Sequence, residues 1–246
     1  MIISFVQTKG GTGKSTLAMS AAFSELFLEK FTSIALVELD PQGTLKRWWQ
    51  ERSDSGKSFH SVSFHHISST QKEVLQDSIK TIAAHNDLLI LDVPGESTSK
   101  LHTKFACAVS DFVVIPMRTS TNDESALSEN LLPIVKEIVR SYPIKKGSFQ
   151  ILPSFTSALA NKEKTIGYFR DILPDYVHCM NTVYPFRSVY ENFNREGSTL
   201  SEYLDSIQNN KKLSTVGTRA VNDINSIMFE IYQNLLEKQN AHTEET

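Results

Sequence analysis

The stretch that decides the fold of this chain lies near its start and reads Lys9-Gly10-Gly11-Thr12-Gly13-Lys14-Ser15-Thr16. It follows a short apolar run, residues 2–7, and precedes an alanine- and leucine-rich segment that predicts a helix over residues 14–30. Glycines let backbone N–H groups approach phosphate oxygens, and a helix N-terminus adds partial positive charge. A strand, a glycine-rich loop and a helix in this order predict a phosphate-binding loop.

Two lysines and a hydroxyl give this loop its chemistry. Lys14 is placed to reach the β- and γ-phosphates of a nucleotide, and the Ser15 hydroxyl to ligate Mg²⁺. Position 8, where the usual pattern has glycine, is Thr8, and a second lysine, Lys9, precedes the paired glycines. We predict that the nucleotide contacts the whole loop, that is Lys9, Gly10, Gly11, Thr12, Gly13, Lys14, Ser15 and Thr16.

Two further acidic positions end predicted strands. Asp92 follows the continuously apolar run of residues 88–91, which is typical of a strand buried on both faces, and is predicted to hold Mg²⁺ through a water molecule. Gly95 then offers its N–H to the γ-phosphate. Asp40, in the run Asp40-Pro41-Gln42-Gly43, is a candidate for orienting or deprotonating the attacking water and for a metal ligand.

Short apolar runs alternate with helical patterns along the chain, which predicts an α/β fold of the P-loop NTPase type. We expect a mainly parallel central sheet flanked by helices, in one domain over residues 1–246 with a polar, flexible tail at 239–246. The predicted strands are 2–7, 33–39, 62–67, 87–92, 112–116, 149–153 and 176–183. Pro133 interrupts an apolar helical stripe and predicts a kink or an earlier stop.

Composition excludes several classes of protein. The chain has 246 residues, 40% hydrophobic and 22% charged, which excludes a disordered, collagen-like or coiled-coil chain. Its two cysteines give no disulfide framework, and no run approaches the roughly 18 apolar residues of a spanning helix. We therefore expect a cytoplasmic protein without membrane insertion. Because the sequence starts directly with its first predicted strand, we expect no N-terminal DNA-reading domain.

Residues 9–16, the run Asp40-Pro41-Gln42-Gly43 and residues 88–92 together resemble the deviant Walker A ATPases, the ParA/MinD superfamily of partition and positioning proteins. The chain is most similar to the small ParA-type members. Two departures stand out. The first acid of the family's Asp-x-Asp-Pro-Gln pattern is Glu38 here, and the segment after Asp92 reads Val93-Pro94-Gly95-Glu96.

This resemblance implies a functional cycle. Such proteins bind ATP with Mg²⁺ and form a homodimer with both nucleotides at the interface, where the signature lysine, here Lys9, reaches the partner's phosphates in trans. Hydrolysis is slow until an adaptor, such as a ParB-like protein, stimulates it. The ATP-bound dimer binds DNA without sequence preference and so segregates a plasmid or chromosome. Pro185 corresponds to the stretch that borders the adenine in relatives.

Other cargoes stay open. Between Arg140 and Arg195 there are eight lysines and arginines against four acids, which favours a DNA-contacting face although the whole chain carries a net charge of -3. A MinD-like ATPase on a membrane surface requires a basic tail, whereas this tail is acidic. An iron–sulfur relative requires cysteine pairs that Cys107 and Cys179 do not form. A conjugation-linked member of the VirC type differs in its cargo.

Overall fold

The fold is known from a computed structural model that describes residues 1–95, 100–157 and 160–244, the last four by their backbone. Its strands form a parallel sheet in the order β3-β2-β4-β1-β5-β6-β7, and β8 pairs with β6. The strand bounds are β1 Ile2–Phe5, β2 Ile34–Glu38, β3 Val62–His66, β4 Leu88–Asp92, β5 Phe112–Met117, β6 Phe149–Thr156, β7 His178–Cys179 and β8 Tyr184–Pro185. The predicted parallel sheet is confirmed.

Helices cover both faces of this sheet. They are α1 Lys14–Ala22, α2 Glu25–Lys30, α3 Thr44–Asp54, α4 Lys72–Ala83, α5 Lys100–Val109, α6 Thr121–Ala126, α7 Leu132–Ser141, α8 Lys162–Ile172, α9 Leu200–Ser206 and α10 Lys211–Glu244. Leu88 and Ile90 of β4 belong to the core on the side of α1 and α10. Leu89 and Leu91 belong to the core on the other side, with α4 and α7. The continuously apolar run is therefore buried on both faces, as predicted.

The predicted helix over residues 14–30 is broken into α1 and α2. The break occurs because the Ser24 hydroxyl accepts the Phe27 N–H and caps a new helix there. The predicted strand over residues 176–183 shrinks to the two residues of β7, and the chain pairs again only at β8.

The helical stripe around Pro133 continues without a stop. A π-helical segment, Leu127–Leu131, joins α6 to α7, and Pro133 falls in the first turn of α7, where its missing N–H costs no hydrogen bond. The helix α6 begins after Ser120, the N-cap, whose hydroxyl accepts the Asp123 N–H at 3.2 Å.

The last helix, α10, runs to Glu244 and so extends into the segment 239–246 predicted as a flexible tail; the flexibility stays a prediction, and residues 245–246 lie outside the described residues. In the described part of the chain, no helix is both long and apolar enough to cross a membrane.

A buried arginine fixes α3 to the segment before α9. Arg52 is fully buried, donates to the Ser58 and Gly197 carbonyls, and forms a bidentate ion pair with Glu202. Its guanidinium lies 4.7 Å from the centre of the Phe23 ring. These contacts anchor the helix that begins directly after Asp40-Pro41-Gln42-Gly43, so they help to position that loop.

Candidate active site

The glycine-rich loop connects β1 to α1 at the carboxyl ends of the strands, where parallel α/β sheets hold their ligands. Gly11 and Gly13 have φ of +69° and +91°, a left-handed conformation that glycine adopts without strain. A Cβ at Gly13 would lie 2.9 Å from the Tyr184 ring. The sequence therefore needs glycine at position 13 for two reasons, its backbone conformation and the close approach of β8.

The loop wraps around Lys14. This side chain is buried, and its Nζ donates to the Lys9 carbonyl over 3.4 Å. Burial lowers the pKa of Lys14, while the charges of Asp92 and Asp40 act in the opposite direction. Gly95 lies against the same group, since a Cβ there would be 2.7 Å from Lys14 Nζ. The structure thus brings Lys14, Gly95, Asp92 and Asp40 to one place.

Asp92 ends β4 with its carboxylate buried and unsatisfied. The residue is 1% exposed, and within the described residues its carboxylate makes no hydrogen bond of ordinary geometry, although the Ser15 hydroxyl lies close beside it. Burial raises the pKa of Asp92 to about 7, against the opposing effects of the Ser15 hydroxyl and Lys14. A buried carboxylate in this state is costly. Because Ser15 and Asp92 offer oxygen ligands side by side, the site fits Mg²⁺, which prefers such ligands together with water and phosphate oxygens.

The strand register explains why these groups meet. Phe5 of β1 and Glu38 of β2 both lie opposite Asp92 of β4, so the three strands end level with one another. Asp40 follows two residues after Glu38, half-buried, with its carboxylate accepting the Gln42 N–H at 2.9 Å. His66 at the end of β3 contacts the Asp40 carbonyl.

Glu38, the departure from the family pattern, has a structural role here. It is fully buried and accepts the N–H groups of Leu45 and Lys46 at 2.8 and 3.0 Å, which caps the first turn of α3. Burial raises the pKa of Glu38, and these two N–H groups oppose the rise. The longer glutamate therefore ties the loop around Asp40 to α3.

Lys9, the second lysine of the loop, forms an ion pair with Asp123 at the start of α6. The Asp123 side chain is fully buried, and its other oxygen accepts the Arg118 N–H at 3.1 Å. The Lys9 side chain is 39% exposed. Its ammonium is consequently held within its own subunit by this ion pair, whereas Lys14 Nζ donates to the backbone of the loop.

Aromatic side chains lie against the glycine-rich loop at Gly13. Phe155 of β6 and Tyr184 of β8 are the groups that a Cβ at Gly13 would meet, and Phe186 lies 6.2 Å from Phe155 between ring centres, largely exposed. The Arg118 guanidinium covers the Phe155 ring at 4.4 Å and donates to the Gly11 carbonyl. Pro185, which is predicted to border the adenine, follows Tyr184 in β8. It is buried, and its backbone pairs with Thr156 of β6.

The remaining loop residues differ in exposure. Gly10 is exposed at the tip of the loop, and Thr16 is half-buried in the first turn of α1. Thr12 is buried, and within the described part of the chain its hydroxyl has no partner.

Sequence reasoning missed Arg118, Asp123 and Phe155. Asp123 carried a weak signal, because it stands in the acidic first turn of a predicted helix. Phe155 carried none, although it adopts a left-handed conformation with φ of +51°, which is unusual for a bulky residue.

Three solved structures illustrate which proteins have a similar fold. McdA of Cyanothece, in a complex of a variant with ATP, has 15% identity over 92% of this chain and 96% of its own, with a TM-score of 0.58. MinD in the MinC:MinD cell division complex of Aquifex aeolicus has 13% identity, coverages of 92% and 95%, and a TM-score of 0.60. A plasmid partition protein of Borrelia burgdorferi has 17% identity, coverages of 84% and 98%, and a TM-score of 0.52. These likenesses concern the fold.

Sequence comparison identifies the family. A search of curated proteins gives no match. The family model described as ATPase MipZ matches residues 1–130, which is more than half of the chain and contains the glycine-rich loop, Asp40, Asp92 and Asp123. The matched segment therefore carries the phosphate loop and the acidic groups that surround it, and the chain belongs to the MipZ family of ATPases, enzymes of the ParA/MinD type.

Proposed function

We propose that this ATPase is a nucleotide switch of the ParA type, which dimerises with ATP, binds duplex DNA without sequence preference in that state, and lets go after hydrolysis. A ParB-like or other adaptor protein stimulates the hydrolysis. In this way the protein positions or segregates a DNA cargo. The ATP- and partner-bound states named for its structural neighbours are consistent with such a cycle but concern those proteins.

The observation that carries the proposal is the different placement of the two lysines of the loop. Lys14 is buried inside the loop, where it serves phosphates of its own subunit. Lys9 is 39% exposed, and its ammonium pairs with Asp123 at the start of α6 instead of entering the loop. A second, partly exposed cation beside the phosphate loop supports a role on the partner's phosphates once its pair with Asp123 opens.

Bound Mg²⁺ would neutralise negative charge that develops during phosphoryl transfer. The residues that would hold it are Ser15 directly and Asp92 through water. Asp40 orients the attacking water and accepts its proton. It begins the loop between β2 and α3, close enough to act on Lys14 by its charge, and one of its carboxylate oxygens accepts the Gln42 N–H. Gly95 directs its N–H at the γ-phosphate, since it lies against Lys14 Nζ.

The base of the nucleotide lies on the aromatic side of the loop. Phe155 lies beside Gly13, Phe186 lies 6.2 Å from Phe155 between ring centres, and Pro185 of β8 pairs with Thr156, the residue after Phe155. The strained backbone of Phe155 favours a functional role, because a left-handed bulky residue costs free energy that the fold must offset.

The basic residues proposed for DNA do not form one surface. Lys145 and Lys146 precede β6, and Lys162 and Lys164 follow it, so the two pairs lie at opposite ends of a strand of eight residues, roughly 26 Å apart. Lys162 and Lys164 are exposed and lie at the same end of the sheet as the nucleotide loop. We therefore assign the nucleotide-dependent DNA contact to this second pair.

Gel retardation on two unrelated duplexes tests the proposal, with a non-hydrolysable ATP analogue, ADP or no nucleotide. Binding with the analogue alone, equal on both duplexes and steeply weakened by salt, is expected. Lys162→Glu with Lys164→Glu should weaken it on both sequences. Lys72→Glu with Lys80→Glu, on the exposed side of α4, is the control of equal charge change.

Equal binding with the analogue and ADP refutes the switch. No binding at low salt, with ATP hydrolysis intact, leaves a positioning ATPase that follows a protein or a membrane surface, and in that case the DNA part of the proposal is wrong.

A further inference from the structure

A second cavity lies at the end of the sheet opposite to the nucleotide loop. It has a volume of about 580 Å³ and is formed by the residues before β5 and β6 together with the last turns of α10. The chain reaches it at Met1, at Asp111 before β5 and at Ser148 before β6, which are amino ends of strands. The nucleotide loop lies at the carboxyl ends, so the two sites are separated by the length of the sheet.

Two lysine ammonium groups meet in this cavity. Lys145 Nζ donates to the Ser110 carbonyl at 2.6 Å, and Lys238 Nζ donates to the Ser148 hydroxyl. Both side chains are half-buried. Within residues 1–95, 100–157 and 160–240, neither lysine forms an ion pair with a carboxylate. Their hydrogen-bond partners are neutral groups, and the Asp111 carboxylate acts on both lysines through its charge without forming an ion pair with either.

The cavity carries more positive than negative charge. Lys146 also lines it, although it pairs with the exposed Asp175 at 3.2 Å. Asp111 and Glu237 are the carboxylates of the lining, and Asp111 already accepts the Ile2 N–H at 2.8 Å. Three lysines thus face two carboxylates in the lining, with His178 as a further potential donor.

The electrostatics agree with this geometry. Burial lowers the pKa of Lys145, and burial together with the charge of Lys145 lowers the pKa of Lys238 to about 8, while the charge of Asp111 opposes the fall in both. The two ammonium groups are therefore close enough to repel each other and partly removed from water. An anion between them would relieve both effects, because it supplies the missing opposite charge.

We propose that this cavity binds a small phosphate-bearing molecule, with Lys145 and Lys238 as the cationic donors. A phosphate group suits them, since lysine binds phosphate as a point charge and Ser148 adds a hydroxyl. The volume exceeds that of a single phosphate and is in the range of small-molecule sites, about 300–1,000 Å³. The lysines lie in a recess, which a small anion can enter more readily than the backbone of a rigid duplex.

The test uses inorganic pyrophosphate as the probe and amide NMR as the readout, with the nucleotide loop saturated by ADP. In the wild type, pyrophosphate should shift amides of residues 144–148 and 234–239 in a saturable manner. Lys238→Met should weaken this binding at least tenfold. Lys212→Met, an exposed lysine near the start of the same helix, is the matched control and should bind as the wild type does.

ATP hydrolysis should be unchanged in Lys238→Met, so the outcome does not depend on the proposed switch. If Lys238→Met fails to fold, Lys145→Met is measured in its place and should show the same loss. Absence of shifts at these residues, or equal binding in the lysine variants, overturns the proposal. Shifts caused by a 20-base-pair duplex and not by pyrophosphate also overturn it, because they assign the surface to DNA.

Discussion

Replacing Asp123 by asparagine is expected to strengthen the ATP-dependent dimer. The ion pair between Lys9 and Asp123 keeps the signature lysine within its own subunit. If Lys9 acts in trans, each subunit must break this pair when the dimer forms. Asparagine has nearly the same shape and retains an oxygen for the Arg118 N–H, but it loses the charge that holds Lys9.

The size of the effect follows from the burial of the two partners. Two charges about 4 Å apart attract by about 4 kcal/mol at an effective dielectric constant of 20. The Lys9 side chain is 39% exposed and the Asp123 side chain 0% exposed, so water offsets part of this attraction. We take about 1–2 kcal/mol as the free energy of breaking the ion pair in each subunit, a value between those of exposed and of buried ion pairs. Two subunits then give about 2–4 kcal/mol, which lowers the dimer dissociation constant about 30-fold or more.

Sedimentation equilibrium with a non-hydrolysable ATP analogue measures this constant. Glu124→Gln is the matched control, because it removes one negative charge from the adjacent position, and Glu124 contacts Tyr168 rather than Lys9. A dissociation constant for Asp123→Asn that equals or exceeds those of the wild type and Glu124→Gln would refute the idea that this pair restrains Lys9.

Four further predictions concern single residues. Lys14→Ala should abolish ATP binding in calorimetry, and unchanged affinity contradicts its assignment to the phosphates. Asp40→Ala should bind ATP and dimerise but release phosphate far more slowly, since a carboxylate that positions water acts in the transition state; normal turnover with a lost dimer makes Asp40 an interface residue. Asp92→Asn should raise the free energy of unfolding in the absence of nucleotide. The pKa of Asp92 is about 7 in the folded chain against the usual 3.8, so the stability of the wild type falls as the pH rises between these two values. Urea titrations should therefore show that the variant is more stable than the wild type by up to about 4 kcal/mol above pH 7, and by little below pH 4. Arg52→Met should lower stability by about 3–5 kcal/mol in the same assay, because it leaves Glu202 without its partner; a loss below about 1 kcal/mol contradicts the buried ion pair.

Local patterns made much of the fold predictable. The glycine-rich loop and its flanking elements are contiguous in sequence, and the continuously apolar run before Asp92 marks a strand buried on both faces. Such signals depend only on residues that are neighbours in sequence, so they can be recognised without knowledge of the tertiary structure. The break at Ser24 is also local, since a serine followed by Glu25 is a helix start within an apolar stretch.

Contacts between distant segments were not predictable. Lys9 and Asp123 are 114 positions apart, and only the pairing of β1 with β5 brings the loops after them together. Arg118 meets Phe155 for the same reason, because β5 pairs with β6. The basic excess between Arg140 and Arg195 separates into two surfaces since a strand runs through it, which composition does not reveal.

The central claim is that ATP, and not ADP, joins two subunits through Lys9. Sedimentation velocity of the wild type and Lys9→Ala, with Mg²⁺ and either a non-hydrolysable ATP analogue or ADP, tests it most directly. We expect the wild type to sediment as a dimer of the 27.7 kDa chain with the analogue and as a monomer with ADP. Lys9→Ala should bind the analogue and stay monomeric. A wild type of the same mass in both nucleotides, or a Lys9→Ala dimer as tight as that of the wild type, would contradict the account.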